Sequence, residues 1–133
     1  DSLLTQKSKG TWKLKGTDVQ RVPMDALVLW NHSQLLQLNK ENKKCENTYI
    51  KYIILIEKFY LKESLETSNA YYMVGVYYFE QKLSQKAVAC FLKTLAIRQK
   101  KLGKNHPACS DCLLNLGIIY KQLGYVGKAL EAL

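Results

Sequence analysis

The feature that most constrains this chain is an internal repeat with a step of 42 residues. The segment YYMVGVYYFEQKLSQKA aligns with LLNLGIIYKQLGYVGKA, which places Gly75 on Gly117 and Tyr78 on Tyr120. Self-similarity at a fixed step of this size is the sequence signature of a chain built from stacked copies of one structural unit. The fold is therefore expected to be a repeat architecture.

Each copy is predicted to form an antiparallel pair of α-helices. Apolar residues of segment 71–78 recur at i, i+3, i+4 and i+7, the spacing of one helix face. Gly75 lies on that face, although a glycine inside a helix costs about 1 kcal/mol relative to alanine. We therefore expect a second helix to cross close to Gly75 and to bring the small residue Ala87 there. Gly117 and Ala129 predict the same contact in the next copy.

The run LAIRQKKLGKNHP predicts the end of one helix and the start of another. The second helix of the first copy is expected from about Ser84 to Leu102, with the Ser84 hydroxyl as its cap. Gly103 follows the last apolar residue and is a helix stop, and Pro107 suits the first position of the next helix. Arg98 and the lysines after it are predicted to lie where the helix dipole favours cations.

These residues resemble a known family. The glycine, tyrosine and alanine spacing, with Phe91 and TLAI in the second helix, resembles the tetratricopeptide repeat, and the 42-residue step is similar to the kinesin light chain type. Ordinary tetratricopeptide repeats have about 34 residues, so the longer step accommodates a longer second helix. The resemblance covers residues 70–133. It implies an all-α solenoid of antiparallel helix pairs, about two and a half repeats long, whose first helices line a concave groove.

The same patterns divide the chain into an arm and a helical domain. Residues 1–22 form a basic N-terminal arm that is expected to be irregular, and residues 23–133 form the tetratricopeptide-like domain. Within that domain we predict a degenerate repeat over about 25–66, a well-formed repeat over about 67–108 and a partial repeat over 109–133. The degenerate repeat lacks the glycine and alanine but keeps two apolar helical stripes, and a terminal repeat is often atypical. Because the helical pattern breaks off at the last residue, we expect the chain to be a fragment of a longer protein.

Composition narrows the setting and the partners. A chain of 133 residues with 47% hydrophobic residues can bury one core. Apolar runs such as YIILI are far shorter than the roughly 20 residues that cross a bilayer, so no membrane insertion is predicted. Four scattered cysteines indicate reduced thiols and a cytoplasmic protein. The formal charge of +9 suits an acidic partner, nucleic acid or an anionic membrane surface.

Sequence signals for catalysis or metal binding are weak. The segment CSDC, Cys109 to Cys112, has the spacing of half a zinc site, and Cys90 and His106 are the only nearby residues that could complete it. Ordinary buried cysteines are the preferred interpretation. The sequence contains no glycine-rich phosphate loop and no histidine with a nucleophile at fixed spacing. We predict no enzymatic activity, no catalytic residue, no cofactor and no metal.

The predicted binding residues are the side chains on first helices that point away from the second helices. They are Asn31, Gln34, Tyr72, Met73, Val76, Asn115, Ile118 and Lys121. By resemblance, Asn115 corresponds to an asparagine that binds the backbone of a peptide ligand. The alternative for all of these residues is packing against an adjacent repeat, or simple exposure.

The predicted function is that of a non-enzymatic scaffold or adaptor that binds a peptide segment of a partner protein in this groove. The resemblance to kinesin light chains implies acidic peptides with an aromatic residue, and a cytoskeletal, motor or ciliary setting. One alternative is a structural solenoid segment of a larger complex. Another is a basic nucleic-acid-binding repeat protein, which is disfavoured because the predicted groove lacks a periodic set of base-reading residues.

Overall fold

The computed structural model describes residues 11–13 and 21–132, with side chains from residue 24 to residue 131. The helices of this part of the chain are α1 (Met24–Leu38), α2 (Asn42–Tyr60), α3 (Leu65–Glu80), α4 (Ser84–Leu102), α5 (Pro107–Gln122) and α6 (Val126–Ala132). The chain divides into two compact units, residues 1–59 and 60–133, called the first and second units below. The predicted all-α class is confirmed. None of the described helices has the length and hydropathy that a bilayer crossing requires.

Two short strands lie in the segment that was expected to be irregular. Strands β1 (Thr11–Lys13) and β2 (Arg21–Pro23) pair antiparallel, with Trp12 opposite Val22. Threonine, tryptophan and valine favour extended backbone, which gives this pairing a local reason. The expectation of irregular backbone is therefore wrong for these positions, while residues 1–10 and 14–20 of the predicted arm lie outside the described part of the chain.

The 42-residue step of the sequence recurs in the helix boundaries. Helices α2, α4 and α6 begin at Asn42, Ser84 and Val126, which are separated by that same step. Helices α3 and α5 begin at Leu65 and Pro107, again 42 residues apart. The segment that was predicted as a degenerate repeat thus contains a helix pair with the same spacing as the pairs that follow.

The turns repeat the step in their backbone angles. Lys40, Lys82 and Gly124 precede the second helices and have φ angles of 59°, 62° and 84°. Leu61 and Gly103 follow α2 and α4 and have φ angles of 76° and 93°. Positive φ is unfavourable for residues with a side chain. The turn geometry is therefore maintained even where the sequence offers lysine or leucine instead of glycine.

Each of the first two helix pairs contains one aromatic contact between its two helices, and the two contacts have the same geometry. In the first unit, the rings of Trp30 on α1 and Tyr49 on α2 have centroids 5.5 Å apart at an angle of 65°. In the second unit, the rings of Tyr72 on α3 and Phe91 on α4 have centroids 5.5 Å apart at 61°. Both pairs have the edge-to-face geometry that aromatic rings prefer. Since each member is 42 residues from its counterpart, the same contact is built twice.

Helix α4 approaches Gly75 closely, as predicted. A methyl group at Gly75 would lie 3.0 Å from Cε1 of Phe91 and 3.1 Å from Cβ of Cys90. Helices α3 and α4 run antiparallel on either side of the turn at 81–83, so Gly75 lies opposite residues that are about as far after the turn as it is before it. The predicted closeness of Gly75 to Ala87, and of Gly117 to Ala129, stays a prediction.

The end of α4 and the start of α5 lie where they were predicted, but the predicted cap at the start of α4 is wrong. Gly103 ends α4 with positive φ, and α5 begins at Pro107. The Ser84 hydroxyl is not the cap of α4, because Leu83 occupies the cap position and makes no side-chain hydrogen bond. At the start of α5, His106 is the cap, because its Nδ1 accepts a hydrogen bond of 3.0 Å from the backbone N–H two residues later. Histidine is not among the preferred capping residues, so this role could not be predicted from the residue type.

Candidate functional site

Two of the predicted groove residues meet between the first helices of the second unit. Nδ2 of Asn115 on α5 donates a hydrogen bond of 3.1 Å to the hydroxyl of Tyr72 on α3. Both side chains are half-buried. The contact joins residues 43 positions apart and fixes the orientation of the Asn115 amide from one side.

A buried guanidinium holds the Tyr72 ring. Arg98 on α4 is 9% exposed, and its Cζ lies 4.9 Å from the centroid of the Tyr72 ring. Nη1 donates a hydrogen bond of 2.8 Å to the carbonyl of Ala108 on α5, and Nη2 donates one of 3.3 Å to Oδ1 of Asn69 on α3. The planar guanidinium has the several donors that such a bridge needs. Arg98 therefore ties α3, α4 and α5 together beneath the Tyr72 ring.

This role of Arg98 was not predicted. The residue was expected near the end of α4 because a cation there is favourable for the helix dipole. A second signal was present, because Arg98 follows Phe91 and Thr94 at i+7 and i+4 on the buried stripe of α4. A cation on an apolar stripe indicates a side chain with internal partners.

The cysteines of the second unit are part of the packing. Cys112 Sγ accepts a hydrogen bond from Nη1 of Arg98 at 3.4 Å, and Cys109 Sγ donates to the carbonyl of Gly103 at 3.4 Å. Burial raises the pKa of Cys112, although Arg98 opposes it, and burial raises the pKa of Cys90 to about 11. These two thiols are therefore protonated at neutral pH, which makes them poor nucleophiles. Within the described ranges, no three His, Cys, Asp or Glu side chains are grouped to hold a metal ion.

Apolar side chains flank Asn115 at the surface. Leu114 and Ile118 on α5 are 54% and 40% exposed and lie one helical turn apart. Met73 and Val76 on α3 are half-buried. The surface that these residues form is called the α3/α5 face, and its members are Tyr72, Met73, Val76, Leu114, Asn115 and Ile118. It combines an oriented amide with exposed hydrocarbon.

The exposed charges near the two ends of α5 are opposite in sign. Asp111 near the start of α5 and Lys121 near its end are both exposed. They carry opposite charges at neutral pH. Lys121 was predicted as a groove residue and is available to solvent, but it does not make the face basic.

Two predicted groove residues belong to the first unit. Asn31 on α1 is exposed. Nε2 of Gln34 donates a hydrogen bond of 2.7 Å to the hydroxyl of Tyr49, which in turn donates to Oε1 of Gln37 at 3.1 Å. Gln34 thus connects α1 to α2 within its own helix pair, and its predicted role in peptide binding stays a prediction.

Comparison with known proteins supports the repeat interpretation. Residues 77–133 match the family model of the tetratricopeptide repeat. The chain is also similar to the crystal structure of BtubC (BKLC) from P. vanneervenii, with a TM-score of 0.70 and 24% sequence identity. That similarity covers 81% of this chain and 43% of the other, so the chain spans less than half the length of this neighbour. No match was found among curated proteins. The fold is the predicted all-α solenoid of helix pairs, and its part from Tyr77 onward is similar to the tetratricopeptide repeat.

Proposed function

We propose that this protein is a non-enzymatic scaffold or adaptor that holds a short segment of a partner protein on the α3/α5 face. Tetratricopeptide repeats generally mediate protein–protein interaction. The observation that carries the proposal is the hydrogen bond between Asn115 and Tyr72 beside the exposed side chains of Leu114 and Ile118. An oriented amide next to exposed hydrocarbon can bind a peptide through its backbone and through one or two apolar side chains.

The Asn115 amide is suited to recognise a peptide backbone. Its nitrogen donates to Tyr72, and its Oδ1 retains acceptor capacity for a backbone N–H of the ligand. Arg98 holds the Tyr72 ring from beneath, so the donor partner of Asn115 is in place before a ligand arrives. A side chain that is already oriented loses less conformational entropy on binding. Arg98 and Tyr72 are therefore positioning residues for Asn115.

The exposed charges of Asp111 and Lys121 bear on the kind of segment we propose. Because these two side chains carry opposite charges, they give the α3/α5 face no exposed charge that selects an acidic peptide. We propose a segment that contributes apolar side chains and backbone groups. The cytoskeletal, motor or ciliary setting, and the kinesin light chain type itself, rest on the resemblance of the 42-residue repeat.

A peptide array tests the proposal with three single variants. We expect Asn115→Ala to abolish binding of the peptides that the native chain retains, and Tyr72→Phe to weaken it about fivefold to tenfold, the value of one hydrogen bond. Gln85→Ala is the matched control, because it removes an exposed amide on α4, outside the face. Peptides that bind Asn115→Ala as well as the native chain would contradict the proposal. So would binding that is lost only when residues 1–22 are removed.

A salt titration distinguishes the nucleic-acid alternative. Binding to nucleic acid releases counterions, so its affinity falls steeply as salt is added. For an apolar, backbone-mediated contact on the α3/α5 face, we expect peptide affinity to change less than threefold or so between low and physiological salt.

A further inference from the structure

A groove between α1 and α2 in the first unit is not used by the proposed function. It consists of three adjoining cavities of about 530, 240 and 500 Å3. The largest and the smallest share Lys51, and the smallest shares His32 and Leu36 with the third. The cavities therefore form one continuous depression along the helix pair, which we call the lysine-edged groove.

The floor of the groove is apolar at its widest part. Val28 and Leu29 on α1 and Ile54 and Leu55 on α2 line the largest cavity. Val28 and Ile54 are each 58% exposed, which leaves hydrocarbon of both helices in contact with water. Exposed apolar side chains that line a common depression mark an interaction site more often than scattered ones do.

One edge of the groove carries a periodic row of positive charge. Lys44, Lys51 and Lys58 on α2 all line the cavities, and they are spaced seven residues apart. The carboxylates that line the same three cavities are Asp25 on α1 and Glu41, so the lysines are in excess. Within the described part of the chain, Lys51 and Lys58 make no ion pair, whereas Lys44 pairs with Glu41 at 3.2 Å on the exposed surface. Seven residues are two helical turns, so the three ammonium groups repeat along the groove in register with an α-helix laid beside it.

The pattern of charge and hydrocarbon selects among possible occupants. A second copy of this chain is disfavoured, because each copy carries a net charge of +9 and presents the same lysine row. A nucleic-acid strand would satisfy the lysines but would leave the apolar floor without a partner. An amphipathic helix with acidic residues along one edge satisfies both features. The rise of 1.5 Å per residue makes the lysine row about 21 Å long, which corresponds to about four helical turns.

We propose that the lysine-edged groove binds an amphipathic α-helix of a partner protein. This helix presents an apolar stripe to Val28, Leu29, Ile54 and Leu55, and carries Asp or Glu at heptad spacing toward Lys44, Lys51 and Lys58. The mode is that of a helix laid into a hydrophobic groove, with rim charges setting its orientation. The site lies in a different unit from the α3/α5 face, so either one can fail in experiment without the other.

A displayed library of helical peptides tests the proposal against the full chain. Each peptide has a fixed apolar stripe, and its edge positions are varied among Glu, Gln and Lys. We expect selection by the native chain to enrich Glu over Lys by about tenfold or more at positions seven residues apart. The charge-reversed variant Lys51→Glu plus Lys58→Glu should shift the preference to Lys.

Two matched controls separate the groove from general charge and general apolar effects. Lys43→Glu plus Lys62→Glu changes the net charge equally at exposed positions outside the cavities, and we expect it to keep the Glu preference. Ile54→Asn should lower the affinity of a selected peptide about tenfold, whereas Leu92→Asn, an exposed position on α4, should leave it unchanged.

Three results would overturn the proposal. The first is a selection in which no amphipathic helix is enriched. The second is a Glu preference that Lys51→Glu plus Lys58→Glu does not alter, because the peptides would then bind elsewhere. The third is a concentration-dependent dimer, seen by sedimentation, that Ile54→Asn abolishes, because the groove would then be occupied by a second copy.

Discussion

The two units share one backbone plan but differ in the residues that complete it. The aromatic pair Trp30 and Tyr49 of the first unit has the geometry of Tyr72 and Phe91 in the second. The tetratricopeptide match, by contrast, covers only residues 77–133. Helix spacing, turn angles and ring contacts are therefore kept where the consensus small residues are lost. The plan depends on apolar stripes and turn geometry more than on any single glycine.

The helix crossings show what replaces the small residues. Ser33 aligns with Gly75 at the repeat step, and it is fully buried with its Oγ donating a hydrogen bond of 2.9 Å to the carbonyl of Leu29. Cys45 aligns with Ala87 and donates through Sγ to the carbonyl of Ser33 at 3.4 Å. The first unit thus accommodates side chains at its crossing, whereas the second unit requires a glycine.

The largest expected effect is overpacking of the second crossing. Gly75→Leu should destabilise the protein by about 3 kcal/mol or more, because even a methyl group there would lie 3.0 Å from the Phe91 ring. Urea denaturation followed by circular dichroism measures this loss. Gly127→Leu in α6 is the control, since a methyl group at Gly127 meets nothing within 4 Å. Equal stability of Gly75→Leu and the native chain would contradict the close approach.

Alkaline pH should weaken the second unit through a buried thiol. Burial raises the pKa of Cys90 from an ordinary value of 9.0 to about 11. The folded state therefore keeps its proton while the unfolded state releases it, so stability is full below about pH 9 and is lost as pH rises toward 11. The loss can reach about 3 kcal/mol. In the first unit, the aligned residue Thr48 does not titrate.

Denaturation at several pH values measures this dependence. Cys90→Ala should remove part of the downward slope between about pH 9 and pH 11. The slope is the informative quantity, because the substitution also changes packing at every pH. An unchanged slope would show that the thiol of Cys90 is not protected in the folded state.

A somewhat smaller effect is expected at the buried arginine. Arg98→Met should cost about 2 kcal/mol, because Oδ1 of Asn69 and the carbonyl of Ala108 lose their donor. The aligned residue in the first unit is Ile56, which is buried without needing such partners. Lys101→Met removes an exposed cation from the same helix and should change stability by less than about 0.5 kcal/mol.

Peptide affinity gives the Arg98 prediction a second readout. If Arg98 positions Tyr72 and Asn115, Arg98→Lys should not restore binding to the α3/α5 face, because a lysine cannot make the same bridge. Full recovery with lysine would mean that only the charge matters.

Much of the fold could be predicted because it depends on short-range patterns. The span of α4, the stop at Gly103 and the start at Pro107 follow from apolar periodicity and backbone preferences of single residues. The residues that supply the atoms nearest to Gly75, Phe91 and Cys90, were not predicted, because they depend on where the turn lies between two antiparallel helices. The alignment gave which residues are equivalent, but not which residues meet.

The candidate site could be predicted only in part. Tyr72 and Asn115 were both named from helix periodicity, yet their hydrogen bond is a contact between helices of different pairs and leaves no local pattern. The role of Arg98 depends on four partners from α3 and α5, so position along α4 alone suggested a simpler explanation. Gln34 was predicted to face a ligand, and its hydrogen bond to the Tyr49 hydroxyl could not be predicted because it joins two different helices.

The smallest expected effect is a gain in stability at a turn. Leu61 after α2 and Gly103 after α4 both have positive φ, but only Leu61 has a side chain, and that side chain is 73% exposed. Leu61→Gly should therefore relieve backbone strain without losing much packing. The gain should be about 0.5 to 1 kcal/mol, because the greater freedom of glycine in the unfolded chain offsets part of it. Lys62→Gly is the control, since Lys62 is exposed and is not among the positive-φ positions, and it should lower stability slightly. If thermal denaturation showed the same loss for both variants, the left-handed turn after α2 would not be strained, and the two turns would differ more than their φ angles indicate.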